Sequence, residues 1–449
     1  MRVKRWMPVA GLLVGLAAAA CSGAADSDDA GRADSAPTPT LTQSFEAAQG
    51  SELGRDDVAT IVEEVDEPED PRQAAIARGA TLLSDNVPNR LTFGWETNFD
   101  IHSAPYTEIF DGGPPRDGIR PIDDPRFFLA KDAPSYMNPA EPVISIEIDG
   151  EARAYPLAIL VSHEIVNDDL GGIPITVTYC PLCNTSLVFD RRVDGRVLDF
   201  GTSGNLRMSD LVMWDRQTES WWQQITGEAI VGDLTGTKLT FIPAQVLAFE
   251  DFAQAFPDGL VLSRDTGFYP ISAYDRAPYA GYDQLSNTPI AFRDAIDPRL
   301  PPMERVVTLD IAGDFVAYPF LLLAQVPVIN DVVGGKQVVV FYTGGTLSPF
   351  AGTGVQPRRT IGSTGVFDPV VDGRRLTFKV VANAIVDDET GSKWSILGEA
   401  LDGPLAGTQL DLVVHDNHFW FAWAGFNPST VVRGIDSDIV GPLIPVEEG

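Results

Sequence analysis

Two thiols three positions apart, in Tyr179-Cys180-Pro181-Leu182-Cys183-Asn184, are the groups of this chain best suited to chemistry. Cys-x-x-Cys spacing lets both sulfurs face one metal ion or close a small disulfide ring, and Pro181 stiffens the turn between them. Histidine is scarce: His102, His163, His415 and His418 are the full set. His163 lies in Ser162-His163-Glu164-Ile165-Val166-Asn167-Asp168, upstream of the cysteines, and His415 and His418 open His415-Asp416-Asn417-His418-Phe419-Trp420. A thiol pair with one or two imidazoles suits Zn(II), and also copper. The candidate metal ligands are therefore Cys180, Cys183, His163, His415 and His418. For the histidines the plainer reading is a hydrogen-bonded structural ring. His102 takes no role.

Glu164 and Asp168 are candidates to orient a ligand from behind or to act as a general base, against the plainer reading of helix-end caps or solvated charge. Arg207 and Asp210, near Asp215 and Arg216, form an Arg/Asp cluster that suits an anionic ligand or a structural ion-pair lock. Met208 has the softness of a copper ligand, with core packing the plainer role. Gly-x-Ser-x-Gly, the phosphate-loop signature and His-Glu-x-x-His are all absent. No catalytic residue is assigned.

The elements around the thiols read mainly as strands. Val143-Ile144-Ser145-Ile146-Glu147-Ile148 predicts a strand turning at Asp149-Gly150, and Ile175-Thr176-Val177-Thr178-Tyr179 is a β-branched run leading into Cys180. Ser186-Leu187-Val188-Phe189 and Arg196 to Phe200 flank a second turn at Asp194-Gly195. A redox thiol pair usually sits at a helix N-terminus, whose dipole stabilises the thiolate. Here a strand and hairpin follow Cys183, which favours a metal knuckle. A thiol–disulfide redox pair and a non-catalytic ligand- or envelope-binding module with a structural disulfide remain the alternatives.

The chain also repeats itself. Val306 to Gly313 echoes Val143 to Gly150, Ala317-Tyr318-Pro319 echoes Ala154-Tyr155-Pro156, and Lys393-Trp394 to Ala400 echoes Trp221-Trp222 to Ala229. Shared positions are mostly turns, prolines and core residues. The chemically capable ones differ: Thr343 and Thr346 stand at the equivalents of Cys180 and Cys183, and Val326 at that of His163. The expected fold is mainly β with short helices (α+β), in two tandem, internally duplicated units. Residues 141–262 form the first, carrying the site, and 304–435 the second, degenerate there. A connector, 263–303, joins them, and an irregular lead-in, 73–140, precedes them.

The N-terminus reads as an export signal. Arg2, Lys4 and Arg5 precede a short apolar run that ends at Ala20, so residues 1–20 are expected to be a signal peptide. Cys21 follows directly, as in a bacterial lipobox, with Ala18 where leucine is favoured, and is the expected lipid-attachment site. Residues 21–72 are rich in Ala, Ser, Thr and acidic residues, which predicts a disordered tether. The protein is expected outside the cytoplasm, held to the cell envelope by lipid. A net charge of −31 and a pI near 4.3 exclude nucleic-acid binding through a basic surface.

Several stretches together resemble the prokaryotic family known as domain of unknown function 3179. They are His163 to Asp168, Thr178 to Asn184, Ser263-Arg264-Asp265-Thr266-Gly267, Pro278-Tyr279-Ala280-Gly281-Tyr282 and His418 to Trp423. The resemblance covers about residues 120 to 430. It implies a secreted or lipid-anchored protein with the Cys-Pro-Leu-Cys element and carries no established activity. It also implies asparagine where this chain has Met208, which weakens a methionine ligand.

Overall fold

A hairpin opens the duplicated region. Strand β1 (Pro142–Ile148) turns at Asp149 and Gly150, both at positive φ, into β2 (Glu151–Pro156). Two successive left-handed residues match the twist of paired strands, the reason Asp-Gly is favoured there. Pro156 then precedes helix α1 (Leu157–His163), which ends at Glu164 with φ +60°. The computed structural model describes residues 70–351 and 359–437, all within one compact unit, 66–449. The expected signal peptide, Cys21 and nearly all of the expected tether lie outside the described residues.

After α1 come β3 (Ile165–Leu170), β4 (Ile173–Cys180) and β5 (Thr185–Asp190), then β6 (Phe200–Arg207), β7 (Asp210–Asp215), β8 (Trp221–Gln223) and β9 (Glu228–Val231). Strand β10 (Gln245–Ala248), helix α2 (Phe249–Ala255) and β11 (Leu260–Leu262) complete the unit. The same order then recurs: β12 (Arg305–Ile311), β13 (Asp314–Pro319), α3 (Phe320–Leu323), β14 (Val328–Val333), β15 (Lys336–Thr343) and β16 (Ser363–Phe367). It continues with β17 (Phe378–Val381), β18 (Ala384–Asp387), β19 (Lys393–Trp394), β20 (Ala400–Asp402), β21 (Asp416–Phe419), α4 (Trp420–Phe426) and β22 (Val431–Val432). The fold is mainly β with short helices, as the sequence predicts. Among the described residues no helix is long and apolar enough to cross a membrane.

Each unit contributes three sheets. In the first sheet the orders β10-β1-β2-β11 and β21-β12-β13-β22 match, and in both the last pair is parallel. The second sheets are β3-β4-β5 and β14-β15-β16, and the third run β6 to β9 and β17 to β20. Three polar clamps recur with the strands. Tyr155 and Arg153 both reach Asp168, as Tyr318 and Arg433 reach Asp331. Asn167 exchanges hydrogen bonds with the backbone of Phe200, as Asn330 does with Phe378. Trp222 donates its indole N–H to Asp215, and Trp394 to Asp387. Buried polar groups must be satisfied, so the first two pairings tie sheet to sheet in both units and the third braces the third sheet internally.

The two units pack strand against strand across their junction. β21 of the second packs on β5 of the first, and β10 of the first packs on β16 of the second. Asp416 accepts hydrogen bonds from the Ser186 backbone N–H (2.7 Å) and hydroxyl (2.6 Å), and Gln245 donates to the carbonyls of Thr364 and Ile396. Trp420, Trp222 and Phe419 are fully buried in the core that spans the units. Unit 66–449 thus has two lobes, each built on one repeat's second sheet with a strand of the other repeat packed against it.

Candidate metal centre

Three turns bring the site together. β4 ends at Cys180, and the turn through Pro181, Leu182, Cys183 and Asn184 (φ +54°) returns the chain so that Thr185 pairs with Cys180. β6 and β7 are joined by Met208 (φ +51°) and Ser209 (φ +70°), a tight turn that leaves Asp210 at the head of β7. Glu164, at φ +60°, caps α1 and starts β3. Left-handed backbone at non-glycine residues costs on the order of 1 kcal/mol each and gathers at functional sites.

One sulfur each from Cys180 and Cys183 and one oxygen from Asp210 lie within 4.8 Å of one another, all three residues buried. Asp210 Oδ2 accepts from the Gln223 amide (2.5 Å) and the Ile225 backbone N–H (3.0 Å). Among the described residues its buried Oδ1 meets no N–H or O–H donor, while the Cys183 thiol interacts with the carboxyl. Burial raises the Asp210 carboxyl to about 7. Burial, with the charge of Asp210 beside it, raises Glu164 to about 8. Burial also pushes both thiols up, Cys183 the further. No Lys or Arg makes an ion pair with Glu164 or Asp210 among the described residues. Four acidic groups therefore share one low-dielectric place without a countercharge, an arrangement that keeps protons or takes up a cation.

The connector covers this cluster. The Tyr282 hydroxyl donates to the Leu182 carbonyl (3.1 Å) and accepts from the Ile290 N–H (3.0 Å), while Ser209 Oγ donates to the Ile290 carbonyl (2.6 Å). Burial, and then the charge of Glu164, raises the Tyr279 phenol to about 12. Tyr279 and Tyr282 stand in the Pro-Tyr-Ala-Gly-Tyr stretch, which the sequence marks as distinctive without giving either tyrosine a role.

Cys180 and Cys183 come together as expected from their spacing, with Asp210 rather than an imidazole as the third group. The histidines lie elsewhere. His163 has both ring nitrogens engaged, Nδ1 with the Arg120 carbonyl and Nε2 with the Tyr274 hydroxyl, each at 2.7 Å. His415 Nδ1 donates to the Val413 carbonyl, and His418 Nδ1 meets Thr185 Oγ1 at 2.8 Å with its ring stacked on Trp423. Burial holds all three below the usual histidine range, His415 near 4 and His418 near 3. Asp168 is held by Tyr155 and Arg153 in the β2–β3 clamp. Arg207 reaches Glu108 at 2.8 Å and lies over the Phe426 ring, so it ties β6 to the lead-in instead of partnering Asp210.

Strand register fixes the counterpart of each residue in the other lobe. Cys180 pairs with Thr185 as Thr343 pairs with Ser363, and Arg207 with Asp210 as Val381 with Ala384. Asp210 thus corresponds to Ala384, and Glu164, one residue before β3, to Pro327 before β14. On the strands packed across the junction, Asp416 and His418 correspond to Gln245 and Leu247. The chemically capable side chains of both units therefore converge on one lobe. The acidic half of this asymmetry was available from the repeat, but only exact register exposes it.

No curated protein and no solved structure matches the chain. The family model described as "Protein of unknown function (DUF3179)" matches residues 116–430, well over half the sequence. It takes in the cysteine turn, Glu164, Asp210 and the covering tyrosines, and the chain belongs to this family of proteins of unknown function.

Proposed function

We propose that the protein is an extracytoplasmic lipoprotein that binds a transition-metal ion through Cys180, Cys183 and Asp210, with Glu164 beside them. The observation that carries the reading is the buried Asp210 carboxylate, with one oxygen within 4.8 Å of both sulfurs and with Oδ1 meeting no N–H or O–H donor among the described residues. A divalent cation there would replace the thiol protons, neutralise the carboxylates and satisfy the orphan oxygen. An oxygen donor beside two thiolates suits Zn(II), with copper the other candidate on the strength of the sulfurs. Raised thiols at a strand turn weigh against a thiol–disulfide exchanger, which works through a stabilised thiolate. The envelope location rests on the N-terminal signal and Cys21.

The test is metal content of protein exported by its own leader, compared with Cys180→Ser/Cys183→Ser and with Asp210→Ala. One zinc or copper per chain in the parent and loss in both variants is the expected result. Equal metal in all three rejects the centre. Cys21→Ser is expected to move the protein from the membrane fraction to the soluble one, and unchanged fractionation rejects the anchor.

A further inference from the structure

A separate cleft of about 300 Å³ opens where strand β21 and helix α4 meet the first unit. Leu187, Ile225 and Phe241 of the first unit and Phe315 and Trp423 of the second form its apolar walls. The size falls at the lower end of small-molecule sites, and apolar walls with a few fixed polar groups are their usual make-up.

Free acceptors line the cleft, beside the Asn427 side-chain amide and the Thr226 hydroxyl. His415 is 7% exposed, and its Nδ1 lies 2.8 Å from the Val413 carbonyl. A carbonyl only accepts, so the proton of the neutral ring sits on Nδ1 and Nε2 presents a lone pair. That nitrogen makes no hydrogen bond among the described residues. Glu228 and Asp310 add carboxylates to the lining. Among the described residues the one lining cation is Lys238, and it faces Glu228 at 3.9 Å. An ammonium group is further favoured near the faces of aromatic rings such as Trp423 and Phe315.

We propose that this cleft binds an amphipathic organic cation, a small apolar or aromatic body carrying a protonated amine. The amine hydrogens bond His415 Nε2 and the Asp310 carboxylate, and the body fills the space between Leu187, Ile225 and Trp423. The counterpart cleft of the other lobe, edged by Ser145, Glu147 and Gln245, lacks this acceptor. Ala244 stands there for His415, and the Gln245 amide is committed to two backbone carbonyls. The duplication thus equips one cleft and leaves the other plain.

The experiment is calorimetric titration of the full chain with phenethylamine as probe and 3-phenylpropionate as its anionic counterpart. Saturable binding of the amine, on the order of millimolar or tighter, with no binding of the acid is expected. Asp310→Asn and His415→Phe are each expected to weaken the amine at least about threefold, while Glu147→Gln in the counterpart cleft leaves it unchanged. Asp310 is exposed, so its variant keeps the test valid if the His415 variant fails to fold. Cys180→Ser/Cys183→Ser is expected to bind the amine as the parent does. Absence of saturable amine binding, equal binding of the acid, indifference to Asp310→Asn, or dependence on the cysteines overturns the proposal, the last by placing the amine at the metal centre.

Discussion

The backbone N–H of Phe419, in the second unit, donates to the carbonyl of Cys183, in the first, at 2.8 Å. The turn that carries both thiols is therefore held by a strand lying more than two hundred residues downstream. Asn184 strengthens the same seam by donating to the Asn417 carbonyl. In the other lobe the corresponding N–H, that of Ala248, goes to the Ser363 hydroxyl. All four groups of the site come from the first unit, and a strand of the second unit braces the turn that carries the thiols.

Asp416 is the strongest polar tie across that seam. Asp416→Ala removes the acceptor for both the Ser186 N–H and its hydroxyl and leaves two buried donors unsatisfied. The expected cost is about 2–3 kcal/mol, read as a lower urea midpoint with an unchanged slope. A loss below about 0.5 kcal/mol, the scatter of surface changes, would show that the two units hold together without it.

The acidic centre and an imidazole centre predict different variants. Asp210→Ala is expected to abolish metal binding, and Glu164→Gln to weaken it about 10- to 100-fold, the usual effect of a supporting group. His418→Leu installs the residue found at the equivalent position of the other lobe, Leu247, and is expected to keep the metal. Chelator competition reads all three. Metal lost in His418→Leu and kept in Asp210→Ala would restore the histidine as ligand.

Much of the scaffold was legible because duplication writes it twice. Asp149-Gly150 and Ala312-Gly313 mark the same hairpin turn, and each Tyr-Pro ends a strand and starts a helix. The cysteines were legible as a pair, since three-residue spacing on one turn needs no tertiary information. Their partner was not. Asp210 reaches the sulfurs because a two-residue turn of positive φ directs the head of β7 inward, and nothing in Met208-Ser209 announces such a turn. The histidines misled for a related reason. Chemical suitability says what a ring can bind, whereas His163 is used up by a carbonyl and a tyrosine hydroxyl that lie far from it in sequence.

The turn matching Met208-Ser209 in the second unit is Ala382-Asn383, with φ of +48° and +64° and both side chains exposed. Alanine has no means of easing left-handed backbone, and Asn-Gly is the preferred pair for such a turn. Ala382→Asn/Asn383→Gly is expected to stabilise the protein by about 0.5–1 kcal/mol, measured by chemical denaturation. Destabilisation would mean that the turn relaxes in solution to another type.

Glu304 gives the second unit a pH signature separate from the metal centre. Its carboxyl is 2% exposed, and its Oε1 accepts the Leu321 N–H at 2.8 Å. Burial raises it from 4.5 to about 7, with that hydrogen bond and the Arg305 charge only partly offsetting the effect. Below pH 4.5 the carboxyl is protonated in both folded and unfolded chains. Between 4.5 and about 7 the folded chain holds the proton that the unfolded chain has released, so stability falls as pH rises through this window and levels off above it. Glu304→Gln keeps an acceptor for Leu321 and removes the titration. The stability of the parent relative to this variant is expected to drop between pH 4.5 and 8 by up to about 3 kcal/mol, since each pKa unit is worth about 1.4 kcal/mol. Urea titrations of both proteins at three pH values measure the difference directly. A constant difference would mean that water reaches the carboxyl, and an increase would mean that Arg305 outweighs burial and holds it ionised.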